Sequence, residues 1–185
     1  MSYFNSRELA AISLSAALWA VFNWLVSPIF WQLTHLPILC DMIGVTVLIV
    51  TLWWTRKRGA GATMGIIATL LNFILRPGAF HFLGFTVACI FFDVTSSLIG
   101  YRQILDKGLT GSISLIVLSV VSTTIAGFII GNFFMNPGFL ASAFGGVLVF
   151  AAIHGGGGLI GGVLGVVIVR GLESRMVIPR AVRLH

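Results

Sequence analysis

Long apolar runs follow one another along this chain at roughly 9–30, 36–54, 60–76, 81–101, 112–134 and 139–170. Each can cross the ~30 Å hydrocarbon core of a bilayer, which takes about 17–25 helical residues. The breaks between them are short and hold turn-forming or charged residues: Ser27-Pro28 to Pro37, Thr55 to Gly59, Arg76-Pro77-Gly78, Arg102 to Gly111 and Asn132 to Gly138. With 58% hydrophobic and 9% charged residues and a mean hydropathy of +1.06, the chain cannot cover a water-facing surface with polar side chains. The pattern predicts an all-α integral membrane protein, one domain of six transmembrane helices over residues 1–185. The start, Met1 to Glu8 running directly into a long apolar segment, predicts no removable signal peptide.

The net charge of +6 does not point to nucleic acid, because the cations sit at the edges of apolar runs rather than on a folded basic surface. They define an orientation instead. Lys and Arg near span ends are retained in the cytoplasm, and an inside N-terminus puts Arg7, Arg56, Lys57, Arg58, Arg102, Lys107, Arg170, Arg175, Arg180 and Arg183 there, leaving Arg76 outside. Six spans with both termini inside preserve that segregation, whereas an odd number would break it. Trp24, Trp31, Trp53 and Trp54 fall where interfacial aromatic belts are expected.

The last run is too long for one perpendicular helix at ~1.5 Å per residue and contains His154 followed by Gly155 to Gly158. It is expected to be broken or preceded by a short outer helix, with 139–150 as a lid or interfacial segment and the final span descending through the glycines to Arg170. No phosphate-binding loop, zinc-protease motif, Cys-x-x-Cys pair or nucleophile elbow is present, so no catalytic or ATP-binding machinery and no cofactor are expected. Cys40 and Cys89 lie in apolar segments, where a thiol behaves as a small hydrophobe.

Two small-residue stripes stand out. Ala10, Ser13, Ala17 and Ala20, with Ala16 at the edge, make a face on the first span suited to close helix contact, either within the protein or with a partner. Gly157, Gly161 and Gly165, with a parallel Gly158 and Gly162, make another on the last span, suited to internal packing or to bordering a ligand.

Ionisable groups at membrane depth are costly and are candidates for function. Under this topology Trp31, His35, Asp41, Asn72, Arg76, His81, Asn132, Asn136 and His154 gather toward the outer leaflet, as a pocket loaded from outside requires. Asp41 and Arg76 as a structural ion pair is the alternative, and His35, His81 and His154 are too scattered for a convincing metal site. Asp93, beside Thr95, Ser96 and Ser97 in the fourth span, is expected to be structural or gating.

The first-span segment Ile12 to Phe22, preceded by Arg7-Glu8, and the loop Arg56-Lys-Arg-Gly-Ala-Gly61 resemble substrate-binding S components of energy-coupling factor vitamin transporters. The resemblance implies capture of a vitamin or related small-molecule nutrient, such as a thiamine precursor, at the outer face of a prokaryotic cytoplasmic membrane. It implies delivery by docking on a membrane scaffold subunit driven by two cytoplasmic ATPase subunits. Docking would fall on Ser13, Ala16, Ala17 and Ala20, as Ser13-xxx-Ala17 or Ala16-xxx-Ala20. The ligand region would include His81, Asn132, Asn136 and His154. A non-transporting scaffold of the rod-shape-determining type, or a stand-alone carrier using Asp93, are the competing expectations.

Overall fold

The computed structural model describes residues 3–177, and these form helices and short connections with no strand. Helix α1 (Ser6–Leu25) starts on a reciprocal cap: the Asn5 side chain accepts from Arg7 and Glu8 N–H, while Glu8 accepts from Asn5 N–H. The first apolar run was expected as one helix over 9–30, but it divides at Val26. Pro28 supplies no N–H to continue the ladder, and a short helix α2 (Ser27–Thr34) sets off from there.

His35, in the left-handed region at φ 55°, closes α2 before α3 (Ile38–Thr55). Helix α4 (Ala60–Leu75) follows Gly59, whose φ of 81° suits a residue without Cβ. Then come α5 (Phe82–Ile99), a single π turn over Arg102–Asp106 and α6 (Gly108–Phe133). Asn136 caps α7 (Pro137–Phe144), and Gly145-Gly146, at φ 75° and 119°, turn the chain into α8 (Val147–Ser174). A short helix therefore does precede the last span, but the break falls at 145–146 and the long helix begins earlier than the expected 150.

Five helices, α1, α3, α5, α6 and α8, are long and apolar enough to cross a membrane, the architecture of a multi-pass membrane protein. Helix α4 has 16 residues, about 24 Å at ~1.5 Å per residue, and is the shorter apolar element that the third expected span, 60–76, becomes.

Helix α8 packs most extensively, against α6 and α3. Its glycines are the reason. A Cβ on Gly157 would stand 2.8 Å from the Ile38 carbonyl oxygen and one on Gly161 2.5 Å from that of Met42, while Gly158 and Gly162 meet Thr123 and Ser119 of α6. The tetraglycine costs helix propensity, roughly 1 kcal/mol per residue relative to alanine. Backbone approach offsets this through van der Waals contact and an interhelical bond from Thr46 Oγ1 to the Gly161 carbonyl, 3.0 Å. Both glycine stripes are thus internal seams, and none of these glycines borders the cavity described below.

The exterior is apolar: Leu14 is 70% and Leu98 76% exposed, a surface suited to lipid rather than water. The small residues of α1 divide between inside and outside. Ala16 and Ala20 are buried within the bundle and closed to an external partner, Ser13 and Ala17 are half-buried, and Ala10 is exposed.

Contacts between helix ends (Asn23 with Asn72 and Trp19 with Cys40 at one end, Glu8 with Lys57, Trp53 with Glu173, Arg56 with Asp106 and Arg170 with Gly108 at the other) gather Arg7, Arg56, Lys57, Arg58, Arg102, Lys107, Arg170 and Arg175 at one end of the bundle, while Arg76 lies at the other. Arg180 and Arg183 lie outside the described residues. At the cationic end Arg56 grips Asp106 through two bonds of 2.8 and 2.7 Å, Lys57 meets Glu8 at 2.7 Å, and Arg170 meets Glu173 at 2.8 Å. Glu173 also accepts from Trp53 Nε1 at 3.0 Å.

Candidate functional site

At the opposite end a cavity of about 320 Å³ opens among α1, α2, α3, α5, α6 and α8. Its aromatic walls come from Trp19 on α1, Phe30 and Trp31 on α2, Phe82 and Phe85 on α5 and Phe150 on α8. Trp19 and Phe85 are stacked, with centroids 4.0 Å apart and planes 7° from parallel. Trp19 is anchored by its indole N–H, which donates to the Cys40 carbonyl at 3.0 Å. The close pass of α3 permits this, because any Cβ on Gly44 would collide with both rings. A flat, rigid aromatic wall suits a planar or apolar ligand body.

Against this wall stand Asp41 and His154. One turn into α3, Asp41 is 3% exposed, and His154 on α8 is 2% exposed. Gly127 on α6 makes room for the imidazole, since a Cβ there would lie 2.7 Å from His154 Cδ2. His154 Nδ1 and Asp41 Oδ2 are 2.6 Å apart, a buried ion-pair contact between two atoms that have no other polar partner among the described residues. The contact holds ring and carboxylate together but leaves their bonding capacity open. Among the described residues five buried side-chain polar atoms have no hydrogen-bond partner. Four belong to Ser27, Asp41 and His154, all in the cavity wall; the fifth is Ser96 Oγ. Buried polar groups are nearly always bonded, and leaving one unpaired costs about 1–3 kcal/mol, so their convergence marks a place built to receive polar atoms.

Of the residues expected to form an outer pocket, Trp31, Asp41, Arg76, His81 and His154 line the cavity. Asn72 lies behind its wall: its Oδ1 accepts from Asn23 Nδ2 at 3.0 Å, and it is Asn23 that faces the cavity. His35 is exposed beside Trp31, ring to ring at 6.1 Å, and does not line the cavity. Neither Asn132 nor Asn136 lines it: Asn132, in the last turn of α6, bonds back to the Phe128 carbonyl at 2.8 Å, and Asn136 is spent on capping α7. The alternative pairing of Asp41 with Arg76 is replaced by Asp41 with His154, and Arg76 stays exposed with no ion pair among the described residues. His81, half-buried before α5, has its pKa lowered to about 4 by burial, then by Arg76 and His154, so it is neutral near pH 7. No group of three or more His, Cys, Asp or Glu among the described residues could hold a metal.

The sequence reading missed Trp19, Asn23, Ser27, Phe82 and Phe85. Tryptophan and asparagine on one face of an otherwise apolar first helix, four residues apart, were the available signal.

Asp93, the other deep carboxylate, is fully engaged. Its Oδ2 accepts from Ala62 N–H at the start of α4 at 3.1 Å, and its Oδ1 from the Tyr101 hydroxyl at 3.0 Å. A carboxylate at a helix N-terminus also meets the positive end of the helix dipole. Burial, with Asp93 next, pushes the Tyr101 phenol up, which keeps it a donor.

The chain matches no family model, no curated protein and no solved structure.

Proposed function

We propose that this chain is a substrate-capture subunit of an energy-coupling-factor importer, an S component. In this reading it binds a small, ring-containing vitamin or vitamin precursor on the outer side of a prokaryotic cytoplasmic membrane, and hands it over by docking on a membrane scaffold driven by separate ATPases. The observation that carries the reading is the aromatic cavity whose wall holds four of the five unsatisfied buried polar side-chain atoms among the described residues. Its size falls in the usual range for small-molecule sites, about 300–1,000 Å³. Under the positive-inside rule the cationic end lies in the cytoplasm and the cavity faces out, with α4 as a sixth, short span whose ends are extended by Arg58 and Arg76 reaching the headgroups. Exposure of Ser13 and Ala17 supports Ser13-xxx-Ala17 as the docking pair over the buried Ala16-xxx-Ala20.

A rod-shape scaffold has no use for such a cavity, and a proton-coupled carrier working through Asp93 conflicts with the two bonds that already occupy that carboxylate. The test is native mass spectrometry of the purified chain with whatever it retains, followed by a binding screen over vitamins and their precursors. A retained or tightly bound compound that protects the cavity supports the reading. Empty protein with no binding across the screen, and no scaffold subunit co-purifying, sinks it.

A further inference from the structure

The cavity is electrically polar along its depth. Its inner wall carries a carboxylate, Asp41, whose one polar contact among the described residues is His154 Nδ1 at 2.6 Å. The other charged group in its wall is Arg76, at the C-terminal cap of α4, exposed at the rim and unpaired among the described residues. Between them lies aromatic surface: Trp19, Phe85 and, on the α2 side, Trp31. Ser27 Oγ and His154 Nε2 are further unfilled positions, each able to donate or accept according to its proton.

Resting on the reading of this cavity as a nutrient site, we propose that its ligand is a zwitterion with an aromatic or heteroaromatic body. A protonated nitrogen or strong N–H donor engages Asp41 and His154, and a carboxylate or phosphate is held by Arg76 at the mouth.

The orientation follows from the charges. A cation brought to Asp41 supplies the donors that carboxylate lacks, in surroundings dry enough for the charge-assisted bond to count. An anion placed there would face Asp41 across low-dielectric space. At the rim the guanidinium presents a planar fork of donors matched to carboxylate and phosphate alike. His81, uncharged near neutral pH, adds no second cation at the mouth, so one negative group balances Arg76. The ring between fills the aromatic section, where stacking and cation–π contact both favour it. The competing role for Arg76 is to anchor the end of α4 in the headgroups, and the probes separate the two.

The experiment measures binding of two matched probe sets to the full-length chain in detergent, by native mass spectrometry and tryptophan fluorescence. The first set is 4-(aminomethyl)benzoate, 4-methylbenzylamine and 4-methylbenzoate, in which the ring separates the charges; the second is pyridoxamine 5′-phosphate against pyridoxamine. In at least one set the zwitterion should bind tenfold or more tighter than its singly charged analogues. Asp41→Asn should erase the preference for the amine, and Arg76→Gln the preference for the anion. Both variants should keep the elution profile and melting temperature of the parent. Tightest binding by 4-methylbenzylamine or pyridoxamine, with Arg76→Gln neutral, overturns the rim assignment and leaves Arg76 a headgroup anchor. No binding by any probe also overturns this inference, while a vitamin of another charge type found in the broader screen would leave the capture function standing.

Discussion

Asp41 and Asp93 are equally buried, at 3% and 2% exposure, yet the two ends of the bundle treat them in opposite ways. Around Asp93 each oxygen has its own donor, from a helix N-terminus and a tyrosine, and a Cβ on Gly61 would come within 3.2 Å of its own Cβ. Around Asp41 the protein brings one imidazole close and supplies no further donor among the described residues, beside an open aromatic cavity. Closed polar networks rigidify a structure, whereas open ones cost stability. The cationic end is therefore the framework, and the cavity end carries the stored capacity for binding.

Both ends depend on the seam that joins α8 to α3, so the largest effect is expected there. Gly161→Leu drives a side chain into the Met42 backbone and should abolish recovery of monodisperse protein in detergent chromatography, taking framework and cavity together. Normal recovery would show that the glycine seam is not what seats α8.

Next in size, Asp93→Ala strands the Ala62 and Tyr101 donors at about 1–3 kcal/mol for each unpaired group. The melting temperature should fall while the folded fraction keeps its ligand affinity. Asp41→Asn should do the reverse, since the amide keeps the carboxylate's shape and an oxygen that accepts from His154 Nδ1. If Asp93→Ala abolished binding at unchanged melting temperature, the division between the two ends would be wrong.

A smaller effect separates the ends by pH. His81, at the cavity end, has a folded pKa of about 4 against an ordinary value of 6.5. The unfolded form binds the extra proton between those values, so this contribution to stability is complete above about pH 6.5 and is lost as pH falls toward 4. A His81→Gln variant should show a flatter acid limb in melting experiments; an unchanged limb would mean that His81 is not held neutral. The smallest effect belongs to Arg56→Ala, which removes the ion pair with the half-exposed Asp106 and should cost about 0–1 kcal/mol, with no change in ligand binding.

Element by element, the sequence was most legible where lipid is the judge. Long apolar runs became long helices, and the interruptions at Arg56–Gly59 and Arg76–Gly78 became turns. It was least legible where apolar residues are continuous. Gly145 sits inside the run 139–170, where only the positive φ of the glycines reveals the break, and the division at Val26 falls inside the run 9–30 although Ser27-Pro28 marks it in the sequence. At the candidate site Asp41, His154, Arg76 and His81 could be found because charge in lipid is conspicuous. Asn132 and Asn136 could not be told from ligand groups, since an asparagine that caps a helix looks in sequence like one that meets a substrate.

The amino-acid sequence alone determined that this chain folds as apolar helices with its cations gathered at one end, because the cost of hydrating apolar surface and burying charge is local to each segment. Which polar groups are satisfied was decided only by the tertiary structure. Asp93 found donors from α4 and Tyr101, and Asp41 found only His154, because hydrogen bonding depends on angstrom-scale placement between helices distant in the chain. That placement is set here by glycines at both sites, Gly61 on α4 beside Asp93 and Gly157 on α8 beside Asp41, whose missing side chains let the helices come close.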